Sequence, residues 1–418
     1  MNEKNSNLKF EITRDFLSEI PKAELHVHLD GSIRPATLID LAKKRNIVLP
    51  SFTESGLMET VFKDQYEDLD QYLQGFVYTV AALQTPEALS RAAYELAEDC
   101  AKEGIRYLEI RFAPQLHITE SMTIEQVLMA VDEGLENFKK HYNTKKEIVT
   151  GDEPAFNYGI ICCAMRMFNE KFSEYFKKLS DVHRYSPREK LRDLASQELV
   201  LAIIDVRDRY GIPIVGFDLA GSEYGYPAEE HRNAYRIAHR HFLKKTVHAG
   251  EAYGPESIFQ AITDLYADRI GHGYHLYSAH LINNPKIADP EKYVQDLAQY
   301  IADRRITIEV CLTSNKQTMP DLKDWKSHSL GKFLDAGLSV TLGTDNRTVS
   351  KTSLTDEFEL AVNAFNLLPN KLKNIVIYGF KRSFFSDDYA TKRKYVRHVI
   401  DYYEKIEKKH RKLQGYDG

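Results

Sequence analysis

Residues 23–31 of this 418-residue chain read Ala-Glu-Leu-His-Val-His-Leu-Asp-Gly. The run opens as a buried β-strand and places two histidines at its end, one residue apart. On a strand, side chains two apart point to the same side, so His26 and His28 can both reach one ion. Three more segments are built the same way. His248-Ala249-Gly250-Glu251 follows the strand-like Lys245 to Val247, Gly271-His272-Gly273 follows Arg269 to Ile270, and Gly343-Thr344-Asp345-Asn346 follows Leu338 to Leu342. Three histidines and one aspartate suit a divalent metal of the zinc type with a position left open for water. The chain contains a control. His239-Arg240-His241 has the spacing of the first pair but lies in a helix-like run, Ala228 to Leu243. On a helix, residues two apart diverge by roughly 200°, so this pair is expected on a solvated or partly packed face. His117, His183, His231 and His328 read as structural histidines.

Outward from these segments, short β-type runs alternate with longer helical patterns. The expected strands are Ala23–Val27, Ile105–Arg111, Tyr158–Ala164, Ile214–Leu219, Lys245–Val247, Arg269–Gly271, Ile306–Cys311 and Ser339–Gly343. Helices are expected between them, including Pro35–Arg45, Glu87–Glu103, Ile124–His141, Leu191–Tyr210, Pro255–Leu265 and Pro290–Arg304. Strands alternating with helices imply parallel strands joined by right-handed crossovers. Eight such units predict an α/β fold, a closed (β/α)8 TIM-type barrel whose functional groups sit at one end. Closure sets strand eight beside strand one, which brings Asp345 to His26 and His28. An open doubly wound sheet would have to gather ligands from its first, fifth, sixth and eighth strands.

One domain is expected over residues 1–418, with an extension at 1–20, a helical insertion at about 49–83 and C-terminal helices at about 354–414. Leu69, Tyr72, Leu73 and Phe76 recur at helical spacing in the insertion, as a helix packed on the barrel or as a lid over the pocket mouth. Phe168 to Arg188 reads as a polar surface insertion. Val396, Val399, Ile400, Tyr403 and Ile406 mark an amphipathic helix through the basic C-terminal stretch.

Hydrophobic content of 43% and charged content of 28% are those of an ordinary globular protein. A net charge of -5 gives no reason to expect nucleic acid as a partner. Cys100, Cys162, Cys163 and Cys311 form no ladder and read as buried thiols in a reducing compartment. The N-terminus is polar without an apolar signal core, and no stretch is apolar enough to span a membrane. The expectation is a cytoplasmic protein with no membrane association and no obligate protein partner.

A zinc-type ion lowers the pKa of bound water to about 7. The leaving group must then gain a proton, and Glu251, in the strand-end loop of His248, is placed to donate it. His272, between two glycines, is placed to orient the water or stabilise charge on it, and Asp345 to bind metal and hold the water. The fourth strand end, Gly216-Phe217-Asp218-Leu219-Ala220-Gly221-Ser222-Glu223, has no lysine to bridge two ions, so one zinc per chain is expected. The His-x-Glu and Pro-Cys-x-x-Cys zinc deaminase signature does not occur.

At these residues the chain resembles the adenosine deaminase family of the metal-dependent hydrolases. The resemblance rests on AELHVHLDGSIRP, KEGIRYLEIRFAP, GFDLAGSE, TVHAGEAYGP, RIGHGYHL, IEVCLTSN and SVTLGTDNRTVSKTSLTDEF, in family order from Pro21 to Phe358. It implies a one-zinc barrel that hydrolyses the 6-amino group of adenosine and 2′-deoxyadenosine to inosine products and ammonia. It further implies His26, His28, His248 and Asp345 as zinc ligands and Glu251 as the proton donor to N1. His272 and Asp345 would assist attack of activated water at C6. The Gly221 N–H would contact N3, and Asp30 would meet the ribose 5′-hydroxyl, beside an alternative turn-stabilising role before Gly31. The chain departs from the family where many members carry a second aspartate; it has Asn346, whose NH2 can still donate to N7.

Other readings remain open on sequence. They are deamination of another 6-aminopurine (adenine, AMP, an N6-substituted or futalosine-type nucleoside), a barrel that binds without chemistry, and an amide or ester hydrolase with two metals. The substrate expected is a small-molecule purine nucleoside together with water.

Overall fold

The computed structural model describes residues 10–416; the first nine residues of the expected extension lie outside the described residues. Eight strands pair in sequence order: β1 Lys22–His28, β2 Ile105–Phe112, β3 Asn157–Met165, β4 Ile214–Ala220, β5 Lys244–Ala249, β6 Arg269–His272, β7 Thr307–Val310 and β8 Val340–Leu342. Every neighbouring pair is parallel. The ring closes through the residues just past β8. The His28 N–H donates to the Asp345 carbonyl at 2.7 Å, and the Asp345 N–H donates to the His26 carbonyl at 2.8 Å. This is the expected (β/α)8 TIM-type barrel. Its strands are buried on both faces, as strands wrapped by helices must be.

The helices start where local chemistry directs. Pro86–Lys102 opens on Thr85, whose hydroxyl accepts from the Ala88 N–H, with Pro86 in the first turn. It buries Ala88, Leu89, Ala92, Ala93, Leu96 and Ala97 against the barrel. Ile124–Tyr142 starts at a reciprocal Thr123–Gln126 cap. The run from Ala228 is interrupted: a 3-10 turn at Ala228–His231 precedes a helix at Arg232–Arg240. His239 and His241 are exposed beyond the site, and His239 stacks on Tyr266 at 4.7 Å.

The insertion after β1 forms three short helices, Glu54–Thr60, Leu69–Leu73 and Phe76–Ala82. It is packed down: Tyr72 is buried, and the Tyr66 N–H donates to the Gln317 carbonyl at 3.0 Å. Phe168 to Arg188 is the expected surface insertion, largely exposed, but not wholly polar in its packing. It carries a helix, Glu174–Val182, and inserts Phe176 into an apolar cluster with Ala113, Leu116, Cys163, Ala195 and Ala220. The rings of Phe168 and Phe176 stack at 4.2 Å. The interspersed charges obscure this, although Phe168, Phe172, Tyr175 and Phe176 recur at helical spacing. The tail folds as the three expected helices, Leu354–Phe365, Pro369–Arg382 and Tyr389–Leu413. All four cysteines are buried and free. Among the described residues, no helix is long and apolar enough to cross a membrane.

Candidate metal centre and active site

The C-terminal ends of β1, β5, β6 and β8 converge on one point. Ligand atoms of His26, His28, His248 and Asp345 all lie within 4.8 Å of one another. Asp345 Oδ1 is 3.4 Å from Nε2 of both His26 and His28, and the Nε2 atoms of His28 and His248 are 3.2 Å apart. Ligands about 2.0–2.1 Å from a tetrahedral ion stand about 3.3 Å from each other. The donor set therefore fits a zinc-type ion in both chemistry and spacing. The orientation of two rings supports the fit. His26 donates through Nδ1 to Glu309 Oε2 at 2.7 Å, and His248 through Nδ1 to Asp218 at 3.1 Å. Each ring thus keeps the Nε2 lone pair for a metal, and His26 Nε2 is buried without a hydrogen-bond partner.

Beneath the histidines, Arg111 crosses the barrel interior. It donates to Asp218 and to Glu309, both at 2.8 Å. All three side chains are fully buried, so the carboxylates that orient the rings are balanced by a fixed cation. Burial alone would raise the Asp218 carboxyl, but His248 and Arg111 hold it below its usual range.

A second group shares Asp345. Oxygens of Asp345 and Glu251 and a ring nitrogen of His272 lie within 4.8 Å of one another. His272 Nε2 is 3.5 Å from Glu251 Oε1. Asn315 Nδ2 donates to His272 Nδ1 at 3.1 Å, and the Asn315 carbonyl oxygen lies 3.2 Å from Nε2 of His328. As the amide is placed, His272 is the Nε2–H tautomer, and that N–H is buried without a partner. Both His272 (φ 63°) and Asp345 (φ 57°) sit in the left-handed region, which costs a side-chain-bearing residue energy and often marks a functional site.

The electrostatics separate the two acids. Burial, and then the charge of Asp345, push the Glu251 carboxyl up to about 8. Burial would also raise Asp345, yet His26, His272 and His28 hold it well below the usual carboxylate range. Opposite displacement of two neighbouring carboxyls suits one for proton donation and the other for ligation. Glu223 fixes the loop that carries Glu251. Its carboxylate accepts the N–H groups of Gly250, Glu251, Ala252 and Tyr253 at 2.7–3.0 Å, and the Ser257 hydroxyl.

The remaining expected residues follow β1, β4 and β8. Gly221 follows β4 with φ 98°. Asp30 is buried past the end of β1, with Oδ1 unpartnered and its carboxyl raised to about 7 by burial. Asn346 leans over Gly31, where a Cβ would come within 1.8 Å of its Oδ1. Its Nδ2 donates to the Tyr72 hydroxyl at 2.8 Å. Of the histidines read as structural, His117 and His231 pair with Leu83 and Ser196. His328 is also packed, but it supports Asn315 and so the orientation of His272.

Sequence reading assigned no role to Asp218, Glu309, Arg111, Glu223 or Asn315, and took Tyr72 only as an apolar position of the inserted helix. A signal existed for two of them. Asp218 and Glu309 are the lone charged residues of their strand runs, Ile214–Leu219 and Ile306–Cys311, whereas Arg111 shares its run with Arg106 and Glu109.

The sequence model of a family described as adenosine deaminase matches residues 21–189 and 175–402. The chain is 31% identical over 393 residues to the adenosine deaminase of Vibrio atlanticus, spanning 94% of this chain and 100% of that protein. Among solved structures, an amidohydrolase from Burkholderia ambifaria with bound Zn superposes with a TM-score of 0.73 at 20% identity, covering 97% of each chain. An adenine deaminase from Arthrobacter aurescens gives a TM-score of 0.69 at 23% identity, over 92% of this chain and 99% of that one. At those identities the two structures speak to the fold.

Proposed function

This chain is a deaminase belonging to the adenosine deaminase family, and on that premise we propose that it converts adenosine and 2′-deoxyadenosine to inosine and 2′-deoxyinosine with release of ammonia, using one zinc ion. The observation that carries the reading is the sharing of Asp345 between the three-histidine set and the Glu251–His272 pair. Metal binding and proton transfer are thereby held within one buried space.

In this reading His26, His28, His248 and Asp345 hold the ion. A divalent ion of this kind supplies Lewis acidity that brings the pKa of water to about 7. Glu251 donates its proton to N1 of the purine, which draws electrons from C6 and readies it for attack. His272 directs its Nε2–H at the oxygen that attacks C6, and Asn315 keeps that tautomer in place. Asp345 aligns the attacking oxygen with its carboxylate; of the two protons that oxygen sheds, one replaces the proton Glu251 gave to N1 and one leaves with the amino group as ammonia. Glu223 keeps Glu251 from swinging away. The nucleoside is then held by Gly221 N–H at N3, Asn346 at N7 and Asp30 at the ribose 5′-hydroxyl. Asp30 also supports a nucleoside over a nucleotide. Its free oxygen can accept a hydroxyl, whereas a phosphate ester would put an acceptor oxygen where that hydroxyl donates.

The test is conversion of adenosine, 2′-deoxyadenosine, adenine, AMP and N6-methyladenosine to their 6-oxopurine products by protein with a measured metal content, beside a chelated and zinc-restored sample. Zinc-dependent turnover with the two nucleosides ahead is expected. A preference for AMP or adenine would overturn the substrate assignment, and full turnover in chelator would overturn the mechanism.

A further inference from the structure

The floor of the barrel, at the end opposite the ligands, is closed by residues 382–385, which end one of the last two helices and begin the link to the other. The Phe384 ring enters the barrel: a Cβ on Gly216 would come within 2.9 Å of it. The guanidinium of Arg269 lies over that ring, 3.6 Å from its centroid. Arg269 also donates to the Arg382 carbonyl at 3.0 Å, and the Phe384 N–H donates to Glu109, which in turn accepts from Arg269. From this clamp Arg269 Nε reaches upward to Glu309 Oε1 at 2.6 Å. The other oxygen of Glu309 accepts from His26 Nδ1. Every side chain on this path is buried, and charge-assisted hydrogen bonds there tolerate little displacement.

We propose that residues 382–385 are a positioning element for the metal centre, with Phe384 and Arg269 acting through Glu309 on the orientation and tautomer of His26. The segment closes the barrel floor and also sets the height and tilt of the Glu309 carboxylate. A ring that donates its Nδ1–H presents Nε2 as a ligand; a ring freed from that bond can turn or change tautomer. The proposal rests on the metal reading above.

Phe385 provides the control. Its ring stacks in the same floor on Tyr107 and Tyr395, at 5.2 Å from each. Three measurements apply to Phe384→Ala and Phe385→Ala: melting temperature, Zn2+ affinity by chelator competition, and the ring 15N shifts of His26 in the metal-free protein. Phe384→Ala is expected to weaken Zn2+ binding about tenfold or more and to move the His26 Nδ1 signal. Phe385→Ala is expected to lower the melting temperature while changing affinity by no more than about twofold. Equal effects of the two, or an unchanged affinity and ring signal in folded Phe384→Ala, would overturn the proposal. If Phe384→Ala does not fold, Phe384→Leu keeps the apolar volume without the aromatic face, and the same two outcomes are read on it. If the wild-type chain takes up no Zn2+, the metal reading fails by itself; the His26 ring signal then decides the positioning role, supporting it by moving and refuting it by staying.

Discussion

The Tyr72 hydroxyl lies 2.8 Å from Nδ2 of Asn346, tying a helix inserted after β1 to the residue that follows Asp345. The same hydroxyl is 2.7 Å from Ser350 Oγ. One bond to Tyr72 leaves the second N–H of the Asn346 amide for a ligand and sets the direction in which it points. Tyr72→Phe is expected to cut kcat/KM for adenosine about five- to tenfold, the worth of one hydrogen bond, chiefly through KM. Turnover of 7-deazaadenosine, which lacks N7, should change little. Equal losses on both substrates would mean that Tyr72 acts by packing and not through the amide.

Glu251→Gln keeps the size of the side chain and removes its proton donor. A fall in kcat of about 10²–10⁴-fold is expected, with metal content unchanged because Glu251 lies outside the four-ligand set. Metal analysis alongside steady-state kinetics checks both halves. Near-normal kcat in the metal-loaded variant would remove Glu251 from the mechanism.

Glu223→Gln tests the loop that carries Glu251. One oxygen, Oε2, accepts three backbone N–H groups, and Oε1 accepts a fourth together with a hydroxyl. An amide turns an NH2 toward one of those donor sets. The variant should lose about 1.5–3 kcal/mol of stability, the range for hydrogen bonds to a charged group, and should lose kcat with it. Urea unfolding and kinetics report the two effects, and an unchanged kcat would show that the loop holds Glu251 without Glu223.

Two buried histidines away from the metal set predict acid sensitivity. Burial lowers His117 to about 4 and His231 to about 3, from an ordinary 6.5. Between 6.5 and those values the unfolded chain binds protons that the folded chain does not. Stability therefore falls as pH drops through that window, by at most about 1.4 kcal/mol per pH unit for each group. Urea unfolding of metal-free protein at several values from pH 7.5 to pH 4.5 should show the loss, with a shallower slope in His117→Gln. Parallel slopes in the two proteins would clear His117 of the effect.

Some of this was readable before folding. All eight strands stand where alternation and flanking turns placed them; the fifth, expected at Lys245–Val247, runs from Lys244 to Ala249. His26, His28, His248 and Asp345 meet because each is placed relative to the end of its own strand, and closure of the ring aligns those ends. The aromatic residues at Phe168–Phe176 stand among charges, and nothing local shows that Phe176 would reach Ala113, Leu116 and Ala195. Tyr72 was visible as one apolar position among several, with nothing local to show that its hydroxyl would find Asn346, 274 positions away.

The sequence by itself determined the barrel, the end of it where the functional groups gather, and the meeting there of His26, His28, His248 and Asp345. These follow from strand periodicity and strand order, which are local properties repeated eight times. The tertiary structure alone decided which buried charges serve the site. A parallel strand covered on both faces has no polar alternation to show where Asp218, Glu309 or Arg269 points. Their partners, such as His26 for Glu309 at a separation of 283 positions, are set by ring closure and by how the strands register around the barrel.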